Sequence, residues 1–353
     1  MGDKLAPFFI ADVNGVTFRS APNPSSDEQP VSIEVEFSDQ QVTRVGLTIW
    51  DQVDDVTPYA HFNAMPDPMT NPEIPFQAWI GWEEETPVKV LDGYLAAKKL
   101  HYPGTICELL GTHQAIKLRK RARADSRQNM TVLQFLQTKA KEEKCQLVVD
   151  ASAAGDEALA EPCDVILQLA HETNWDIMRT FIKELGYVTV PEGANVLRLF
   201  AHKLNGPEVT IERWDGQMIN QDARFEQRKA GKSSHRRGHL TEISPGKFQH
   251  NTAGQDQGQS RGKTSVPPVL PRSRKSRKGI LGVFNVRGVA RRLEHEGNEL
   301  TMTTRLRPEM KNQEKVTLKG FGPEMDGTWQ TASIVHRIGH GAAETQMALW
   351  RQR

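Results

Sequence analysis

A chain of 353 residues with 45 Lys and Arg against 44 Asp and Glu, and with 37% hydrophobic residues, has the length for two or three domains and an ordinary soluble composition. No apolar run reaches the roughly eighteen residues of a membrane-spanning helix, Met1–Ile10 lacks the layout of a signal peptide, and three scattered cysteines (Cys107, Cys145, Cys163) argue for reduced thiols over a disulfide or zinc framework. The near-zero net charge conceals an asymmetry: residues 1–100 hold sixteen acids and six bases, residues 227–278 thirteen bases and two acids, and such opposite fields suit steering between parts or between subunits.

The first hundred residues read as β. Val31, Ile33, Val35 and Phe37 alternate with polar neighbours, as do Val45, Leu47 and Ile49, then Phe76, Ala78, Ile80 and Trp82. Pro- and Asn/Asp-rich clusters separate these runs. Two further strands follow, Val88–Tyr94 and Gly104–Gly111, and Asp92-Gly93 suits a tight turn or bulge. Short strands at this spacing predict a barrel or sandwich.

The middle changes period. Thr131 and Gln134 form a capping box before a helix whose apolar face is Val132, Leu133, Phe135, Leu136 and Ala140. A second helix runs from about Trp175 to Leu185, capped by Thr173 and Asp176 and stopped by Gly186. Tyr187–Val190 and Val196–Phe200 read as a hairpin. Residues 227–278 are rich in Gly, Ser, Gln, Pro and basic residues with scarcely any apolar periodicity, and end in Arg272-Ser-Arg-Lys-Ser-Arg-Lys278. They read as a long loop or linker with a flexible part. Beyond Gly279 the β pattern returns with Val283–Arg287 between two glycines, a short helical turn over Val289–Glu296, and a strand with Leu300, Met302, Thr304 and Leu306.

Three more strands close the chain. Lys315-Val-Thr-Leu-Lys leads into Gly320-Phe-Gly322. Gly327-Thr-Trp-Gln-Thr-Ala-Ser-Ile-Val-His336 follows, its alternation setting Trp329, Thr331, Ser333 and Val335 against Ala332, Ile334, His336 and Ile338. Thr345-Gln-Met-Ala-Leu-Trp350-Arg351 is last. In this order the segments resemble the C-terminal signature of the phage late control protein D family, the baseplate hub proteins of contractile tails and related injection machines. Asp92-Gly93, the Thr131-Val-Leu-Gln-Phe-Leu136 helix, and Glu172-Thr-Asn-Trp-Asp-Ile-Met-Arg179 with Leu185-Gly186-Tyr187 extend the resemblance, which covers most of residues 30–225 and 279–353.

The resemblance implies a mainly β fold with an α/β insertion, that is, two tail-tube-like β-barrels plus a small α/β domain. The first barrel is expected over residues 1–111, completed by about 200–226. The insertion then spans 112–199, the basic loop 227–278, and the second barrel 279–353. It implies a structural hub protein of the virion tail baseplate, assembled in the host cytoplasm as a homotrimer whose six similar units adapt a sixfold tail tube to a threefold spike. Expected partners are copies of itself, the tail tube protein, the central spike protein, other baseplate proteins, the tape measure protein, and DNA or protein cargo in the lumen. No membrane insertion of its own is implied. An acidic first barrel would line a channel that repels nucleic acid. The family motif comprises Asp92, Gly93, Trp175, Gly186, Tyr187, Gly320, Gly322, Gly327, Trp329, His336 and Arg351, all in structural roles.

No catalytic, cofactor or metal site is expected. His235/His239 and His336/His340 have zinc-like i, i+4 spacing but lack the helix and the Glu of a His-Glu-x-x-His site. Strand, not helix, follows Gly320-Phe-Gly322, so it is a turn and not a dinucleotide loop. Glu83–Glu85 offer a carboxylate pair for glycan hydrolysis but read better as an acidic edge. The basic stretch has one Phe and no Trp or Tyr to stack on bases. Two alternatives to the phage hub remain: the hub of a protein-injecting secretion or extracellular contractile system, and a tail-tip cell-wall hydrolase.

Overall fold

The computed structural model describes residues 6–20, 32–38, 41–50, 60–71, 73–101, 106–119, 124–151, 153–155, 157–160, 162–168, 170–185, 187–201, 208–213, 218–220, 240–244, 247–251, 298–312, 314–339 and 342–351. Gly186, His235, His239, His340, the 272–278 basic run and the elements expected over 279–296 lie outside them.

The first strands are β1 (Pro7–Val13), β2 (Val16–Arg19), β3 (Ser32–Ser38) and β4 (Gln41–Trp50). The short helix α1 (Ala60–Ala64) precedes β5 (Pro75–Trp82), β6 (Val88–His101) and β7 (Ile106–Thr112). Asn14 and Gly15 both take positive φ, as the two-residue turn between β1 and β2 requires. An α/β module follows. It holds a 3₁₀ turn over Gln114–Arg119, β8 (Asp125–Thr131), α2 (Val132–Glu142), β9 (Gln146–Val149), α3 (Glu157–Ala160), β10 (Pro162–Gln168), α4 (Asn174–Leu185), β11 (Tyr187–Glu192) and β12 (Val196–Ala201). Then come β13 (Glu208–Glu212), β14 (Met218–Asn220), β15 (Leu240–Ser244), β16 (Lys247–Asn251), β17 (Asn298–Arg305), β18 (Lys315–Lys319), β19 (Gly327–Gly339) and β20 (Ala342–Arg351).

Thirteen strands from the two ends of the chain share one hydrogen-bonded sheet, in the order β14-β17-β20-β19-β3-β4-β7-β6-β5-β1-β2, with β18 on β19 and β13 on β18. Both groups of strands feed one apolar core, from Phe9, Val35 and Phe76 to Trp329, Ile334 and Met347. The two expected barrels are thus joined in one network, and the join is the antiparallel pair β3·β19, from Ser333↔Ser38 to Ile338↔Ile33.

The two groups repeat one wiring. In the N-terminal group the order is β1-β5-β6-β7-β4-β3; in the C-terminal group it is β13-β18-β19-β20-β17-β14, the same relative chain order. Four of the five pairings are antiparallel in both; only β13·β18 is parallel where β1·β5 is antiparallel. The correspondence holds residue by residue. Pro75↔Tyr94 and Phe76↔Gly93 match Lys315↔Gln330 and Val316↔Trp329. The Leu95 amide donates to the Ile74 carbonyl at 2.9 Å, and the Thr331 amide to the Glu314 carbonyl at 3.0 Å. Each long strand then carries a bulge that skips one alanine, Ala96 in β6 and Ala332 in β19, before resuming as Ala97↔Leu110 and Ser333↔Ala348.

Three expectations are corrected here. The strands described between 202 and 226 do not complete the first group: β13 runs beside β18 with Ile211 buried near Leu318, and β14 pairs with β17, so both serve the second group. The first group draws its sixth strand from its own N-terminus, β1. The stretch read as a linker contains a hairpin, β15·β16, whose Ile243↔Phe248 pair is a short apolar alternation within polar sequence. Finally, strict alternation set Trp329 and Thr331 opposite Ile334 and His336, yet all four are buried, because the bulge at Ala332 flips the parity.

The α/β module has a separate core. The Thr131–Gln134 capping box starts α2, and Thr173 and Asp176 cap α4 reciprocally. Phe135 of α2 meets Phe181 of α4 with ring centroids 5.4 Å apart, and β9 runs parallel to β12.

Candidate assembly surface

Eight strands in unbroken antiparallel succession, β14-β17-β20-β19-β3-β4-β7-β6, form a wall. Alternation gives it two faces. One carries Ile33, Val35, Val45, Leu47, Leu109, Met302, Ile334 and Met347 into the core. The other carries Ser32, Glu34, Glu36, Arg44, Thr48, Glu108, Thr301, Thr303, Ser333, Arg337, Glu344 and Gln346, partly or fully exposed. Acids and bases are mixed on that face. Arg337 Nε lies 2.7 Å from Glu34 across the β3·β19 seam, and its Nη1 reaches Glu344 at 3.4 Å and Gln346 at 3.1 Å. The carboxylates hold the guanidinium pKa above its ordinary value, Glu34 contributing most. Among the described residues of 1–100, this face carries the acids Glu34 and Glu36 beside the base Arg44.

Behind the seam lies His336, fully buried and edge-on to Phe37 at 5.8 Å. Its Nδ1 is 2.9 Å from the Thr345 hydroxyl and its Nε2 is 3.1 Å from the Met310 carbonyl. The Arg307 amide already donates to Thr345 Oγ1 at 2.8 Å. The consistent arrangement is a neutral ring that accepts the Thr345 proton at Nδ1 and donates Nε2–H to Met310. Burial pushes its pKa down to about 4. This relay pins the 306–312 loop to β19 and β20. Thr331 holds the same loop, donating to the Lys311 carbonyl at 2.9 Å and accepting the Glu314 amide at 3.0 Å. Glu314, half buried there, has its pKa pushed up to about 7 by desolvation. Trp82 Nε1 donates to the Leu306 carbonyl at 3.2 Å, a second tie between the groups.

The other motif residues fall into three places. Gly320, Gly322 and Gly327 all take positive φ in the β18–β19 connection. Trp329, buried beneath it, donates Nε1–H to Met325 O at 2.7 Å. Arg351 stacks 4.8 Å over its ring and donates to the Asp326 and Glu324 carbonyls at 2.9 Å each. Asp92 accepts from Gln77 and Lys89, and Gly93 is held so close to β7 that a Cβ would lie 2.2 Å from the Thr112 carbonyl oxygen. Trp175 and Tyr187 are buried in the module core, with Arg119 5.0 Å above the Trp175 ring. His113, its pKa pushed down to about 4 by burial, joins body to module through the Glu192 carbonyl at 3.4 Å.

Glu83–Glu85 occupy the exposed turn between β5 and β6. Among the described residues no group of three His, Cys, Asp or Glu side chains is placed to hold a metal, and no helix is long and apolar enough to cross a membrane. The seam and the paired bulges escaped the sequence reading. The one signal was the broken alternation after Thr331.

No family model and no curated protein sequence matches this chain. Its fold does match solved structures along nearly its whole length. The 43 kDa tail protein of prophage MuSo2 from Shewanella oneidensis superposes with a TM-score of 0.61 at 13% identity, over 98% of this chain and 97% of that one. A tail protein of Neisseria meningitidis gives 0.59 at 11%, over 98% and 96%. An Escherichia coli component of the type VI secretion system, itself described as similar to T4 tail proteins, gives 0.57 at 10%, over 96% and 76%. The fold is that of phage tail proteins.

Proposed function

We propose that this chain is a structural hub of a tail baseplate, a homotrimer in which each copy supplies two like β units, six around one axis. The single observation that carries this reading is the repeat of strand wiring between β1–β7 and β13–β20, matched down to the alanine bulges. A chain with two equivalent units can meet a sixfold tube on one side while its threefold symmetry fits a spike on the other. The exposed face of the eight-strand wall would line the channel. Its mixed charge, with Glu34 and Glu344 tied to Arg337, would offer passing cargo few unpaired groups. Tube, spike, tape measure and other baseplate proteins are the proposed partners, and the work is done by matched interfaces without bond chemistry.

The likeness to a type VI secretion component favours one second reading, the same hub in a particle that delivers protein. A hydrolase would need Glu83–Glu85, which stand on an open turn between two strands. Light scattering of the purified chain tests the hub: a mass three times the 39.7 kDa chain, alone or on adding tube protein, is expected. A monomer under both conditions contradicts it. A peptidoglycan zymogram showing clearing that depends on Glu83–Glu85 would replace it with the enzyme reading.

A further inference from the structure

Where the wall meets the α/β module, three donor groups are buried without a hydrogen-bond partner among the described residues. Arg44 of β4 stands opposite Thr112 at the end of β7, and the Thr112 hydroxyl is the first of the three. The chain passes through His113 into the 114–119 turn, which ends on Arg119. The Arg119 Nε is the second, and its guanidinium lies 5.0 Å above the ring of Trp175 in the first turn of α4. The third is the Trp175 indole Nε1, on a side chain only 7% exposed.

Positive charge gathers at the same place. Burial, and after it the charges of Arg44 and Arg179, push the Arg119 pKa below its ordinary value, and Asp176 opposes them. Arg179 follows Trp175 by one turn of α4. Among the described residues neither Arg44 nor Arg119 has an ion-pair partner. Glu36 stands opposite Arg44 across β3·β4 and forms no ion pair with it. Asp176 is engaged as the cap of α4, accepting from the Thr173 amide and hydroxyl at 3.0 and 2.7 Å.

Arg and Trp nitrogens only donate, and a hydroxyl can donate. Donors gathered with like charges and drawn partly out of water are matched by an acceptor of opposite charge. A water would accept from two of these groups and leave the charges unopposed. A nucleic-acid phosphate suits the place less: the Trp175 ring, buried beneath Arg119, offers no face for a base, and Asp176 adds a negative charge nearby.

We propose that Arg44, Arg119 and the Trp175 indole form a receptor for a carboxylate, the Asp or Glu side chain of an acidic segment on a protein partner. The Arg119 fork takes the carboxylate, the Trp175 Nε1–H donates beside it, and Arg44 supplies the second positive charge. All three residues belong to one chain, so the receptor does not depend on the trimer.

Fluorine NMR of the full-length protein carrying 5-fluorotryptophan tests this. The chain has seven tryptophans, and Trp175→Phe identifies the signal to follow. Hexaglutamate should shift that signal saturably, and hexaglutamine should leave it in place. Arg119→Gln and Arg44→Gln should each weaken hexaglutamate binding about tenfold. Should Arg119→Gln disturb the module, Arg44→Gln decides, because Arg44 stands on the wall and outside the module core. A Trp175 signal that hexaglutamate does not move overturns the receptor, as does a shift that survives both substitutions. A thymidine oligonucleotide of equal charge that moves the signal at lower concentration overturns the carboxylate assignment.

Discussion

The N-terminal and C-terminal strand groups are wired alike and packed differently. At one equivalent position the first group has Gly93, pressed against the Thr112 carbonyl, and the second has Trp329, the largest fully buried side chain. At another the first has half-exposed Leu100 and the second has buried His336. Backbone pairing and the alanine bulges therefore define the unit, while each core is filled by its own side chains. The difference at Leu100 and His336 also tracks context: β19 is covered by β3 and a clasping loop, whereas among the described residues the same stretch of β6 has a strand neighbour on one side only.

The comparison breaks most visibly at Trp329. Trp329→Ala removes a ring that nothing else can replace and should cost about 3–5 kcal/mol in urea denaturation. Exchange should show the loss concentrated in β17–β20, with β4–β7 spared. If β4–β7 loosen equally, the shared core makes the two groups one cooperative unit.

Acid sharpens the contrast next. His336 is held at a pKa of about 4, against 6.5 for the free residue, so the unfolded chain binds the proton more tightly. Stability from this ring is complete above pH 6.5, declines as pH falls through the window, and is lost by pH 4, by about 3 kcal/mol in all. Glu314 works in the opposite sense: its raised pKa of about 7 makes its burial costlier as pH rises from 4.5. The difference between the parent chain and His336→Gln isolates the histidine. The variant should lose less stability than the parent between pH 6.5 and 4, and equal slopes would show that the ring is not the buried proton acceptor.

Gly93→Ala probes the first group's close approach. A methyl facing a backbone oxygen at 2.2 Å cannot be relieved by a rotamer change, so β6 must move from β7. The expected cost is about 1–3 kcal/mol in thermal melting. A neutral result would mean that the β6–β7 spacing is soft.

Arg337→Ala is the mildest. The seam ion pair with Glu34 is about half exposed on both partners, and exposed pairs contribute roughly 0.2–1 kcal/mol. A double-mutant cycle with Glu34→Ala should give a coupling in that range, falling with salt.

Much of the fold was legible in the chain. Alternation located β3, β4, β5 and β17, and the capping residues Thr131, Gln134, Thr173 and Asp176 marked both long helices. Two like barrels were implied by the family resemblance alone; the residue-by-residue repeat was not legible, because apart from the bulge alanines Ala96 and Ala332 equivalent positions differ in type and volume, as Gly93 and Trp329 show. Pairing partners far apart in sequence, such as β3 with β19, leave no local mark. The partners of β13 and β14 are hidden for the same reason: a strand's character is local, and its neighbour is not. Of the proposed assembly surface, only the parity break at Ala332 could be read, since an edge is defined by the neighbour it lacks.

The most direct measurement is an averaged electron-microscopy reconstruction of the assembled protein. It should show three chains around one axis, with β1–β7 and β13–β20 superposing by a rotation of about sixty degrees about that axis. A reconstruction in which the two strand groups sit at different radii, or in which the chain does not assemble around an axis at all, would contradict it.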